Sequence, residues 1–138
     1  MKKFEDYIKS GEVRIQEKNK ILASALIKSA EKNIRFVGKL EINDENAEHI
    51  ASDVYDIIRE HIEAKLSLEG YKSYSHEATL HFLARFKEFT EPEIEFLDNL
   101  RRTRNGIKYY GKQLNSEEAK IILSFLDRIL PKLKKLLA

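Results

Sequence analysis

The 138-residue sequence has no cysteine, only 2 prolines and 5 glycines, and no long uncharged run. Without cysteine there is no disulfide framework, no thiolate nucleophile and no cysteine metal site, so any metal would fall to histidine. So few glycines and prolines argue against both a turn-rich sandwich and a disordered tract. Uncharged stretches such as residues 121–126 fall far short of the ~20 apolar residues of a membrane span. Met1-Lys2-Lys3 leads into acidic sequence rather than into the apolar region of a signal peptide. The expectation is a soluble, unexported, cytoplasmic protein without a membrane partner. A large charge of one sign is also missing: 25 Lys and Arg against 23 Asp and Glu leave +2. Net charge alone therefore does not announce a nucleic-acid binder, and the distribution of charge matters more.

What is present is helix composition, with 42% hydrophobic and 35% charged residues in a length that suits one domain, residues 1–138. Phe4, Tyr7 and Ile8 followed by Gly11 predict a short leading helix over 3–10. Asn19 is placed to cap a long helix carrying Ala23, Leu26, Ala30, Ile34 and Val37 and ending near Leu40. Asp44 is placed to cap a third, with Ala47, Ala51, Val54, Ile58, Ile62 and Leu66 in one stripe and Gly70 at its left-handed end. Residues 71–75 read as a polar turn, after which Ser75 caps a helix that turns Leu80, Leu83 and Phe86 or Phe89 inward. Thr90 and Glu93 make a capping box around Pro92, opening a helix through Ile94, Leu97, Leu100 and Ile107 to about Tyr110. Asn115 and Glu118 repeat that logic for a last helix bearing Ile122, Phe125, Ile129 and Leu133, in which Pro131 should produce a kink. No segment alternates with period two over strand length. The expected fold is all-α, an up-and-down bundle of five to six helices.

One segment breaks this regularity. From Arg101 to Lys112 the chain holds Arg101, Arg102, Arg104, Lys108 and Lys112, and no acid intervenes between Asp98 and Glu117. At about 100° per residue, Arg101, Arg104, Asn105 and Lys108 share one sector of the helix, beside the core sector of Leu97, Leu100 and Ile107. An interior glycine costs about 1 kcal/mol against alanine, so Gly106 implies that something approaches the backbone closely. The bland alternative is a solvated face with Arg104 paired to Asp53, Asp56 or Glu60. The sharper one is an anion site, most simply for phosphate, because guanidinium groups present planar forks of donors and Tyr109 and Tyr110 can stack on bases.

The run Arg104-Asn105-Gly106-Ile107-Lys108-Tyr109-Tyr110-Gly111 follows a leucine-bearing helix. It is preceded by Glu63-Ala64-Lys65-Leu66-Ser67-Leu68-Glu69-Gly70-Tyr71-Lys72 and by Ser75-His76-Glu77-Ala78. Together these stretches resemble prokaryotic HEPN-domain proteins, over residues 19–137. The resemblance implies a small helical bundle that homodimerises. It further implies a metal-independent ribonuclease, often a toxin paired with a small nucleotidyltransferase antitoxin. The family motif is an Arg, commonly with a polar neighbour, and a His four to six residues on. Carried over, Arg104 is the motif Arg and Asn105 its neighbour, but the His position holds Tyr109, or Lys108 if the spacing runs from Arg102. Metal-free cleavage needs a base for the 2′-hydroxyl proton. Tyr and Lys ordinarily titrate near ~10 and ~10.4, so either needs a large shift to serve at pH 7. Arg104, Asn105, Tyr109 and Lys108 are thus the candidate catalytic residues, and Arg101, Arg102, Tyr110 and Lys112 the candidates for holding RNA phosphates and bases.

The histidines give no metal signature: His49 and His61 are twelve apart, and His76 and His81 five apart, not the three or four that put two ligands on one helix face. Each reads as a solvent-facing or hydrogen-bonded helix histidine, with His76 in a structural role at the start of its helix. Tyr55 and Phe82 read as core aromatics. No P-loop, dinucleotide fingerprint or nucleophile elbow is present, so no cofactor is expected. Three functions stay open: a ribonuclease, a non-catalytic RNA or nucleotide binder, and an interaction subunit for a nucleotidyltransferase.

Overall fold

In the computed structural model, which describes residues 2–138, one long helix is covered by four others. The elements are α1 (Phe4–Ser10), β1 (Val13–Ile15), α2 (Lys20–Gly38), α3 (Ala47–Glu69), β2 (Tyr71–Ser73), α4 (His76–Phe82) with a 3₁₀ turn over Leu83–Arg85, α5 (Glu91–Tyr110) and α6 (Ser116–Leu136). The six predicted helices are all there, in an all-α fold. The predicted stripe of α3 is buried, and so are Ile50, Tyr55, Ile57 and Ala64 on its other sides. A helix with so broad an apolar face has to be covered by its neighbours. Accordingly α2, α4, α5 and α6 each pack on it. A contiguous cluster of buried apolar residues extends from Phe4 to Leu133, and Phe96 of α5, half-buried against it, stacks on Phe125 of α6 at 4.1 Å.

Most caps stand where the residue types place them. Asn19 Oδ1 accepts from the Leu22 amide at 2.9 Å, Ser75 Oγ from Ala78, and both capping boxes are closed. Asp44 is an exception. Asn46 occupies the N-cap of α3, and Asp44 Oδ1 instead accepts the Ser116 amide at 2.7 Å, tying the loop before α3 to the first turn of α6. The predicted turn over 71–75 is also corrected. Tyr71–Ser73 forms β2, antiparallel to β1, with Val13 opposite Ser73 and Ile15 opposite Tyr71. Three residues are too few for alternation to register, and the partner strand lies far away in sequence. The α4 helix ends at Phe82, earlier than expected. Phe86 then adopts extended backbone, which keeps it edge-on to Phe82 at 5.3 Å while Phe89 turns into the core from the following loop. The last helix runs on through Pro131 to Leu136, with Ile129 and Leu133 buried on either side of the proline.

Candidate anion-binding cleft

Local structure aims two segments at one another. On α5, burial of Leu97 and Leu100 fixes the rotation of the helix and turns Arg101, Arg104, Asn105 and Lys108 along its flank. Opposite them, β2 delivers the chain into Ser75 at the head of α4. Thr79 Oγ1 donates to Ser73 Oγ at 2.9 Å and to the Ser75 carbonyl at 3.0 Å, and Ser73 Oγ donates to that same carbonyl at 2.8 Å, so the turn is tied down. Between the two lies an open cleft of about 670 Å³. Arg101, Arg104, Asn105, Lys108 and Tyr109 form one wall, Tyr74, Ser75, His76 and Glu77 the other, and Arg59 of α3 also lines it.

Five of the eight predicted site residues therefore share a cleft, and three do not. Arg102 points to the other side of α5, where its guanidinium meets Asp98. Tyr110 is 86% exposed and away from the cleft. Lys112 folds back over the end of its own helix: its amide donates to the Gly106 carbonyl at 3.1 Å, and its side chain lies where a Cβ on residue 106 would be, 3.2 Å from Lys112 Cδ. The close approach that Gly106 implied is thus made by this chain's own Lys112.

The cations differ in how firmly they are held. Arg101 donates through Nε and Nη2 to Asp98 Oδ1 at 3.0 and 2.9 Å. Burial by itself would raise the Asp98 carboxyl, but its bonds to Arg102 and Arg101 win and hold it below the usual range. Arg59 is paired with Glu63 at 2.8 Å and more distantly with Asp56 at 3.5 Å. Arg104 is the most loosely paired of the three arginines that line the cleft. Its guanidinium lies 5.7 Å above the Tyr55 ring and 3.9 Å from Asp56 Oδ1, so of the three carboxylates considered for it only Asp56 is near. Lys108 rests 5.4 Å from the Tyr109 ring, and among the described residues no carboxylate is within ion-pair distance of it.

Beneath the cleft Tyr55 is fully buried, its hydroxyl without a protein partner, and burial pushes the phenol up to about 12 despite Arg59, Arg101 and Arg104 nearby. His76 stands 6.0 Å from the same ring. Partial desolvation first, then Arg59 and Arg104, hold its imidazole below the usual histidine range, so it is neutral at pH 7. Sequence reasoning missed Arg59, Tyr74, Ser75, His76 and Glu77. Arg59 reads as an ordinary i,i+3 and i,i+4 ion-pair residue, and only the fold brings the Ser75-His76-Glu77 run against α5. Among the described residues no group of three or more His, Asp or Glu side chains is placed to hold a metal ion. What the cleft offers is planar donors for an oxyanion, an amide and a neutral imidazole. No protein-family model, curated protein or solved structure matches the chain.

Proposed function

We propose that this chain is a HEPN-like protein that grips the phosphodiester backbone of single-stranded RNA in the cleft between α4 and α5 and cleaves it without a metal. The observation that supports this reading is that Arg104, Asn105 and Lys108, spaced along one flank of α5, open into one cleft with their donors only loosely engaged. An incoming phosphate exchanges the 3.9 Å contact of Arg104 with Asp56 for a bidentate, charge-assisted pair. Exposed Tyr74 and Tyr109 on opposite walls offer faces for unpaired bases, which duplex geometry would not present. The family resemblance implies a homodimer, and one formed through α5 would set two such clefts side by side.

The test is fluorescence anisotropy with a labelled single-stranded RNA at several salt concentrations. Arg104→Ala and Lys108→Ala should each weaken binding and lower the salt slope by about 0.7 per lost phosphate contact. Unchanged affinity and slope in both would sink the reading. A second reading, a non-catalytic subunit of a nucleotidyltransferase pair, is favoured by the 86% exposed Tyr110 and 64% exposed Tyr109 at the end of α5, since exposed aromatics suit partner faces. That reading is chosen if Tyr110→Ala abolishes complex formation while RNA binding is nil.

A further inference from the structure

We infer that His76, outside the arginine motif and on a different helix, is the base of this site, accepting the 2′-hydroxyl proton of an RNA strand held in the cleft; the inference rests on the RNA-cleavage reading above.

Three observations carry it. The first is position. The Tyr55 ring is a common floor, with the His76 imidazole 6.0 Å from it and the Arg104 guanidinium 5.7 Å from it, so base and phosphate-holding cation face one volume. The second is freedom. His61 is buried with Nδ1 2.7 Å from the Ile57 carbonyl, and His81 has Nδ1 3.0 Å from the Lys2 carbonyl. Among the described residues no group bonds either ring nitrogen of His76, which is exposed at the mouth of the cleft. The third is charge state. From α3 it is faced by Arg59, Asp56 and Glu63, from its own helix by Glu77, and from α5 by Arg101, Arg104 and Lys108. Desolvation and the guanidiniums of Arg59 and Arg104 outweigh the pull of Glu63 and Asp56, and the ring is a neutral acceptor at pH 7. A phosphodiester entering the cleft offsets the two guanidiniums and so strengthens the same nitrogen as a base.

The step balances without a co-reactant. The 2′ oxygen gives its proton to His76 and bonds to phosphorus. The bond from phosphorus to the 5′ oxygen breaks, and that oxygen leaves with the pair and takes a proton from solvent. The imidazolium returns its proton to solvent, leaving a 2′,3′-cyclic phosphate and a 5′-hydroxyl. Arg104 and Lys108 face the charge that builds on the phosphate.

The experiment compares the parent chain with His76→Ala on an end-labelled single-stranded RNA across pH, with binding measured separately on a 2′-O-methyl strand that cannot react. His76→Ala should lower the cleavage rate by about 100-fold or more, leave affinity within about twofold, erase the acidic limb of the rate profile and be partly rescued by added imidazole. The His76 ring, followed by NMR, should titrate below the ordinary range and move upward when the 2′-O-methyl strand binds. Cleavage by His76→Ala at the parent rate with the parent pH profile would overturn the inference and leave the ribonuclease reading standing. So would a rate loss that tracks a loss of affinity and is not rescued by imidazole. A parent chain that binds RNA but cleaves none overturns the inference and reduces the function to binding, whereas one that binds no RNA removes the RNA reading itself.

Discussion

Gly70 and Gly111 both end helices in left-handed backbone, at φ +86° and +66°, but their surroundings differ, which makes them a matched pair for measuring a steric term. A Cβ on Gly111 meets nothing within 4 Å, so Gly111→Ala carries only the left-handed penalty, about 1–2 kcal/mol. A Cβ on Gly70 would lie 2.7 Å from the Gln16 carbonyl oxygen. That oxygen cannot easily retreat, because the Gln16 amide donates to the Gly70 carbonyl at 2.8 Å and the Asn19 amide to Ser67 at 2.9 Å. Relief requires loosening the Gln16 bond, worth about 1–3 kcal/mol if the groups stay dry, and Gly70→Ala should cost about 2–5 kcal/mol in all. Domain entropies of unfolding of about 2 cal/mol/K per residue convert 1 kcal/mol to about 3–4 °C for a chain of this size. Melts followed by circular dichroism should therefore fall by about 3–7 °C for Gly111→Ala and about 7–17 °C for Gly70→Ala. Equal shifts would refute the argument, since they would mean that the segment between β1 and α2 is not held against the end of α3.

Arg101→Ala should lower the salt slope of RNA binding by about 0.7 if Arg101 leaves Asp98 for a phosphate, and leave it unchanged if the pair holds, which anisotropy at several salt concentrations distinguishes. Tyr109→His, which restores the family's motif residue on the cleft wall, should raise RNA cleavage and should rescue it in a His76→Ala background, as read on a labelled strand. Melting temperature should decline with acid in two stages. His61 and His76 have depressed folded values, so the stability they contribute is complete above the ordinary 6.5 and lost as pH falls from there through those values. Glu93 and Asp98 follow below their ordinary 4.5 and 3.8: burial would raise each, but Lys132 and the Thr90 amide hold Glu93 down, and Arg102 and Arg101 hold Asp98 down. Replacing Glu93 by Gln should flatten the second stage and spare the first, and a pH-independent melt between 7 and 5 would contradict the first.

The helices and their ends were determined by the sequence itself, because the interactions that specify them are local. Thr90 with Glu93 and Asn115 with Glu118 close within one turn, Gly70 and Gly111 supply left-handed backbone, and the stripe from Ala47 to Leu66 repeats with the helical period. The same locality placed Arg101, Arg104, Asn105 and Lys108 in one sector, which needs only the pitch of a helix. Pairings over long separations were decided by the tertiary structure alone. Strand β2 exists because Val13–Ile15 lies beside it, and Asp44 caps across to Ser116 rather than along its own helix. Lys112 belongs to the end of α5 rather than to the site because two backbone amides and Gly106 fold it there. The composition of the cleft is the clearest case. Arg59, His76 and Arg104 come from three different helices, and no periodicity in the chain relates them. They meet because the broad apolar face of α3 has to be covered, and covering it brings the head of α4 and the basic flank of α5 to the same ring, Tyr55.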